Sequence, residues 1–173
     1  MKSNRILDLR FVFGVQAQVT NPAAATGGEY VEMECTADPG SGSMVHYHPE
    51  QEETFRVLEG TMEVLRDGAW ISVQAGQTHL VPKGEVHAWR NPGSSRVSFK
   101  NVHRPALSFL DHMESLHRLA RAGKIRGTKD WRSLIYMSMS AVKYRPDVTV
   151  KPPQWLINTI AFIGRRLGFT LDT

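Results

Sequence analysis

Between residues 29 and 103 the chain is cut into short stretches that alternate or run apolar, and turn residues, most of them glycine-based, punctuate them. The stretches 29–34, 54–58, 62–65, 70–73, 79–81 and 96–102 have strand length and strand spacing. Between them stand Asp38-Pro39-Gly40, Glu59-Gly60, Arg66-Asp67-Gly68, Ala75-Gly76, Pro82-Lys83-Gly84 and Asn91-Pro92-Gly93. Many short strands with such turns predict an antiparallel sandwich or barrel. Asp67-Gly68 between two apolar runs is a direct hairpin signal, because glycine adopts the positive φ of a tight turn without strain.

After Pro105 the period changes. Leu107, Leu110, Met113, Leu116 and Leu119 recur at helical spacing, and Gly123 closes that segment. A second helix is expected from Thr128 as N-cap, with Trp131, Leu134, Ile135, Ser138, Met139 and Val142 on one face. A third follows Pro152-Pro153, with Trp155, Ile160, Ile163 and Leu167 turned inward and Gly168 ending it. No internal repeat is visible. The 173 residues therefore divide into a β-domain over 1–104, N-terminal strands included, and a helical extension over 105–173.

Chemistry concentrates in two segments, 40–60 and 76–91. His46 and His48 are two apart, so in a strand both point to the same face and into a barrel interior. Burying two imidazoles and the Glu53 carboxylate among apolar neighbours is costly unless they are paired or coordinated. His87 follows a Pro-x-Gly turn and reaches the same point from an adjacent strand. Imidazole with carboxylate suits a divalent transition ion (Mn, Fe, Co, Ni, Cu or Zn), and the lack of a thiolate disfavours a structural zinc knuckle.

These segments resemble the two motifs of the cupin superfamily, Gly-x5-His-x-His-x3–4-Glu-x6-Gly and Gly-x5-Pro-x-Gly-x2-His-x3-Asn. Gly40, His46, His48, Glu53 and Gly60 fill the first; Gly76, Pro82, Gly84, His87 and Asn91 fill the second. The resemblance covers roughly residues 29–104. It implies a mainly-β cupin jelly-roll barrel, here with a C-terminal helical extension, and one metal ion on His46, His48, Glu53 and His87. Glu52 is adjacent and serves only in a different register; the spacing to Gly60 favours Glu53.

Residues in phase with these ligands, namely Met44, Phe55, Val57, Met62, Val64 and Trp89, are expected to line an apolar pocket over the metal. Tyr47 and Arg90 point outward by the same alternation. His79 reads as a surface or supporting histidine, His103 as a candidate for the barrel mouth, and His112 and His117, five apart on a helix, as surface residues.

Family members of this kind include dioxygenases, isomerases, decarboxylases and lyases. The resemblance thus implies metal-dependent chemistry on a small organic molecule, with Glu53 as ligand and proton shuttle. The alternative is a non-catalytic module that binds or senses a small ligand, since no extra acid or base is evident in the expected lining.

Charge is uneven. Residues 1–114 hold 10 Lys/Arg and 14 Asp/Glu, a net −4, whereas 115–173 hold 11 Lys/Arg and 3 Asp, a net +8. The basic residues are scattered singly and lack interleaved aromatics, so no nucleic-acid partner is expected. The N-terminal apolar stretch is interrupted by Asp8 and Arg10 and does not read as a signal peptide, and no stable membrane insertion is expected. The lone Cys35 cannot form an internal disulfide, which makes a cytoplasmic setting the default. Edge strands that need cover, together with the family's habits, point to a homodimer.

Overall fold

The computed structural model describes residues 5–150 and 153–172. Strand β1 (Ile6–Leu9), the single-turn helix α1 (Arg10–Phe13) and β2 (Val15–Asn21) lead into β3 (Val31–Ala37). The two-residue β4 (His46–Tyr47), then β5 (Glu52–Glu59), β6 (Thr61–Arg66), β7 (Ala69–Gln74), β8 (Thr78–Val81), β9 (Ala88–Arg90) and β10 (Val97–Arg104) complete the β-region. The extension contributes α2 (Phe109–Arg121), α3 (Trp131–Lys143), β11 (Thr149–Val150) and α4 (Gln154–Arg166).

One antiparallel sheet runs β1-β2-β3-β10-β5-β8, a second β7-β6-β9, and β11 pairs with β4. The ladders do not close into a continuous ring. Instead the two larger sheets bury their inner faces in one core, with Phe99 between Phe55 and Trp89 at ring-centroid distances of 5.9 and 5.3 Å. Alternation decides which side chains enter it, because successive residues of a strand face opposite sides. On β10, Val97, Phe99, Asn101 and His103 are buried while their neighbours are only partly so. The expected hairpin is formed at Asp67-Gly68, both at positive φ (50° and 80°).

The helices lie where the period placed them, but their inner faces differ. On α3 the buried apolar residues are Ile135 and Met139, whereas Trp131 and Leu134 are exposed. On α4 the buried arc is Ile157, Ala161 and Gly164, and Trp155, Ile163 and Leu167 face solvent. The reason is visible on α4: apolar residues occupy most of its circumference, so period alone cannot choose the packed arc. Close approach chooses it, since a Cβ on Gly164 would lie 2.4 Å from Ile135 Cγ2. The N-cap of α3 is Asp130 rather than Thr128, its carboxylate accepting the Ser133 N–H at 2.8 Å. Leu107 precedes α2 and is exposed. Pro152 lies outside the described residues. Among the described residues no helix is long and apolar enough to cross a membrane.

The extension is built into the β-region. Helix α2 packs on β1, β11 pairs antiparallel with β4, and the buried Gln51 donates through Nε2 to the Pro105 and Ala106 carbonyls at 2.8 and 3.0 Å.

Candidate metal centre and its cavity

His46, His48, Glu53 and His87 converge: one potential ligating atom from each lies within 4.8 Å of the others, and all four residues are buried. Local structure explains the meeting. Glu53 continues the inward series of β5, ahead of Phe55 and Val57, and pairs in register with His103 of β10 and Val81 of β8. His46 and His87 face one another across an antiparallel bridge, each amide donating to the other's carbonyl at 2.9 Å. The Gly84 amide, held at positive φ in the Pro82-Lys83-Gly84 turn, donates to the His48 carbonyl at 2.7 Å.

The hydrogen bonds behind the rings set their tautomers. His46 Nδ1 donates to Met44 O (2.8 Å), His87 Nδ1 to Glu85 O (2.9 Å) and His48 Nδ1 to Asp147 O (2.5 Å). A carbonyl only accepts, so each Nδ1 carries a proton and each neutral ring keeps its lone pair on Nε2. The three Nε2 atoms lie 4.0, 3.3 and 2.6 Å from Glu53 Oε2 for His46, His48 and His87. His48 Nε2 is buried and makes no hydrogen bond, an orphan that a cation would satisfy. This donor set, with backbone carbonyls orienting each imidazole, is what a divalent transition ion requires.

The other carboxylate oxygen is held from behind. Asn101 Nδ2 donates to Glu53 Oε1 at 2.7 Å, and His103 Nε2 donates to Asn101 Oδ1 at 2.9 Å. Burial alone would raise the pKa of Glu53, but the surrounding imidazoles, His103 foremost, outweigh it and hold the group ionised. Burial likewise opposes charge on His87; its hydrogen bond and proximity to Glu53 prevail and raise its pKa. That proton competes with a metal for Nε2, because ligation needs the lone pair. Burial, reinforced by neighbouring imidazoles, lowers His46 to about 3.

The cluster opens into a cavity of about 240 Å³ whose wall is almost wholly apolar. Trp89 lines it. Met44 also lines it but is 45% exposed, which puts it at the opening. Phe55, Val57, Met62 and Val64 are fully buried and off the cavity wall, packed between the sheets. Tyr47 is half-buried, Arg90 is exposed and donates to Glu63, and Glu52 lies beside Arg104.

Among the other histidines, His79 is half-buried on β8 and outside the cluster. His103 is fully buried, lines the cavity and stacks on Phe109 at 3.5 Å. His112 is the main departure from the sequence reading. It is buried, lines the cavity and stacks on Tyr144 at 4.7 Å. It faces inward because α2 lies across the cavity, which helical spacing does not reveal. His117 is half-buried, and its Nδ1 accepts the Asp8 amide at 2.8 Å. Asn101 has a signal in strand alternation, since it lies between Phe99 and His103 on the buried face of β10. The Asp147 carbonyl carries no sequence signal at all.

Residues 33–103 match a family model described as the cupin domain. The chain is 40% identical over 59 residues to the polyketide synthase CurC of Streptomyces cyaneus, covering 34% of this chain and 38% of that protein. It is 34% identical over 65 residues to quercetin 2,3-dioxygenase of Bacillus subtilis, covering 38% of this chain and 19% of that protein. The chain thus spans less than two thirds of the length of the curated relatives it matches. A predicted oxalate decarboxylase from Thermotoga maritima superposes with a TM-score of 0.54 at 19% identity, over 60% of this chain and 93% of that one. At that identity the likeness is one of fold.

Proposed function

We propose that this chain, whose residues 33–103 match the cupin domain, is a metal-dependent enzyme acting on a small organic molecule, with His46, His48, Glu53 and His87 as ligands. One observation carries the reading: three Nδ1–H groups donate to backbone carbonyls, which leaves the three Nε2 atoms facing Glu53 Oε2 as the atoms free to ligate.

A divalent ion there supplies Lewis acidity toward substrate oxygens. The protein's own groups do the rest. Glu53, anchored through Oε1 by Asn101, presents Oε2 as the atom that takes or returns a proton. The apolar wall excludes water and strengthens every electrostatic contact at the cluster. Dioxygenase, isomerase and decarboxylase chemistry all remain compatible. The similarity to quercetin 2,3-dioxygenase makes an oxygen-dependent reaction the first to test. The second reading, a non-catalytic module that binds or senses a small ligand, is favoured by the apolar cavity wall. We place the protein in the cytoplasm on the strength of its single, buried, free cysteine.

The test is elemental analysis of the purified protein beside His48→Ala and His87→Ala. About one iron, manganese, nickel, copper or zinc per chain, lost in both variants, is expected, and turnover in an aerobic substrate screen then separates enzyme from binder. Metal content unchanged by the substitutions would sink the assignment.

We further propose a homodimer. The outer face of α4 exposes Trp155, Phe162, Ile163 and Leu167, and the opposite net charges of the two parts of the chain let the basic extension of one copy meet the acidic β-region of another.

A further inference from the structure

The extension makes part of the cavity wall. Met137 and Ala141 of α3, Val148 and Val150 beside β4, and Ile157 and Ile160 of α4 face Trp89, Phe99 and Cys35 of the sheets across it. Met44, Leu134 and Leu156 line the cavity and are also 45%, 45% and 36% exposed. Residues that do both stand at its opening, so the mouth lies between the β3–β4 loop and the two helices.

Polar groups are few and grouped. Away from the ligands and the groups that hold Glu53, the buried imidazole on the wall is His112 of α2, 6% exposed, with no hydrogen-bond partner at Nδ1; the Cys35 thiol, which burial keeps protonated, is only a weak donor. Burial, with His48 nearby, pushes its pKa down to about 3, so the ring is neutral near pH 7 and offers one donor and one acceptor. A buried imidazole nitrogen left unpaired beside an apolar cavity is a costly arrangement unless a polar partner completes it. A sugar-like molecule would bury many hydroxyls against apolar wall without partners.

We propose that the cavity, whose wall carries the rings of Phe13, Trp89, Phe99 and Phe109, takes a ring-bearing, largely apolar molecule. It places one oxygen at the four-residue cluster and a second polar group against His112. Its size follows from the 240 Å³, space for about eight waters at liquid density, hence a ligand of on the order of a dozen non-hydrogen atoms. This substrate class rests on the enzymatic reading above.

The test measures binding to the metal-bearing protein by calorimetry, with 2-naphthol, the isomeric dihydroxynaphthalenes and glucose as probes. 2-Naphthol is expected to bind one per chain and glucose not at all. At least one dihydroxynaphthalene should bind about tenfold tighter than 2-naphthol, the worth of one good hydrogen bond. His112→Phe, which keeps a ring against Tyr144, should erase that gain. Ala141→Phe should weaken 2-naphthol binding about tenfold or more, with metal content and thermal melting as checks on the fold. Failure of every naphthalene to bind protein that retains its metal overturns the proposed ligand and leaves the metal centre standing. Glucose binding as tight as 2-naphthol, or naphthol binding indifferent to Ala141→Phe, also overturns it. Naphthol binding by a protein that never holds metal upholds the cavity and removes the metal assignment.

Discussion

Asn101 shows how one residue can govern the cluster without being one of its four members. Its amide donates to Glu53 Oε1 at 2.7 Å and accepts from His103 at 2.9 Å, so it fixes which oxygen of Glu53 faces the imidazoles. Asn101→Ala should weaken metal affinity about 10–100-fold, measured against a competing chelator, with the melting temperature separating that loss from unfolding. His112 makes a second prediction. In the unfolded chain its ring binds a proton near pH 6.5; in the fold, burial holds that off to about 3. Between those values the unfolded state binds more protons, so stability falls as pH is lowered through that window. The slope for one such group is at most about 1.4 kcal/mol per pH unit. Urea titrations from pH 7 to pH 4 should therefore show a flatter decline for His112→Phe than for the native chain, and equal slopes would refute the assignment.

At the scale of elements, the contact of α3 with α4 positions much of the extension's share of the cavity wall. Gly164 permits it, since an added Cβ would lie 2.4 Å from Ile135 Cγ2 and 3.1 Å from Met139 Sδ. Replacing Gly by Val gains a few tenths of a kcal/mol in helix propensity, against about 1–3 kcal/mol for overpacking, so overpacking wins. Gly164→Val should lower the melting temperature by several degrees, read by calorimetry; an unchanged melt would mean that the helices do not meet this closely. Strands were easier to read than helix faces. The longer strands β2, β3, β5 and β10 bury one of their two sides, whereas α4 carries apolar residues on both its packed and its open arc.

The whole molecule is a cupin-type β-structure whose cavity is completed by its own C-terminal helices. The exposed Trp155 and Phe162 of α4 carry the dimer proposal at this scale. Light scattering is expected to give twice the chain mass for the native protein, and Trp155→Glu with Phe162→Glu should return it to a monomer with its melt preserved; a native monomer would end the proposal. The sequence by itself determined the strand succession, the Asp67-Gly68 hairpin and the four residues of the cluster. Those features rest on local chemistry: period-two alternation, glycine at positive φ, and fixed spacing on strands. Only the tertiary structure decided that Asp147 O, 99 residues from His48 in the chain, orients that histidine, that His112 enters the cavity, and that Phe55, Val57, Met62 and Val64 fill the core. Those outcomes depend on how separate elements dock, and docking is settled by the close packing of all surfaces at once, which no single segment encodes.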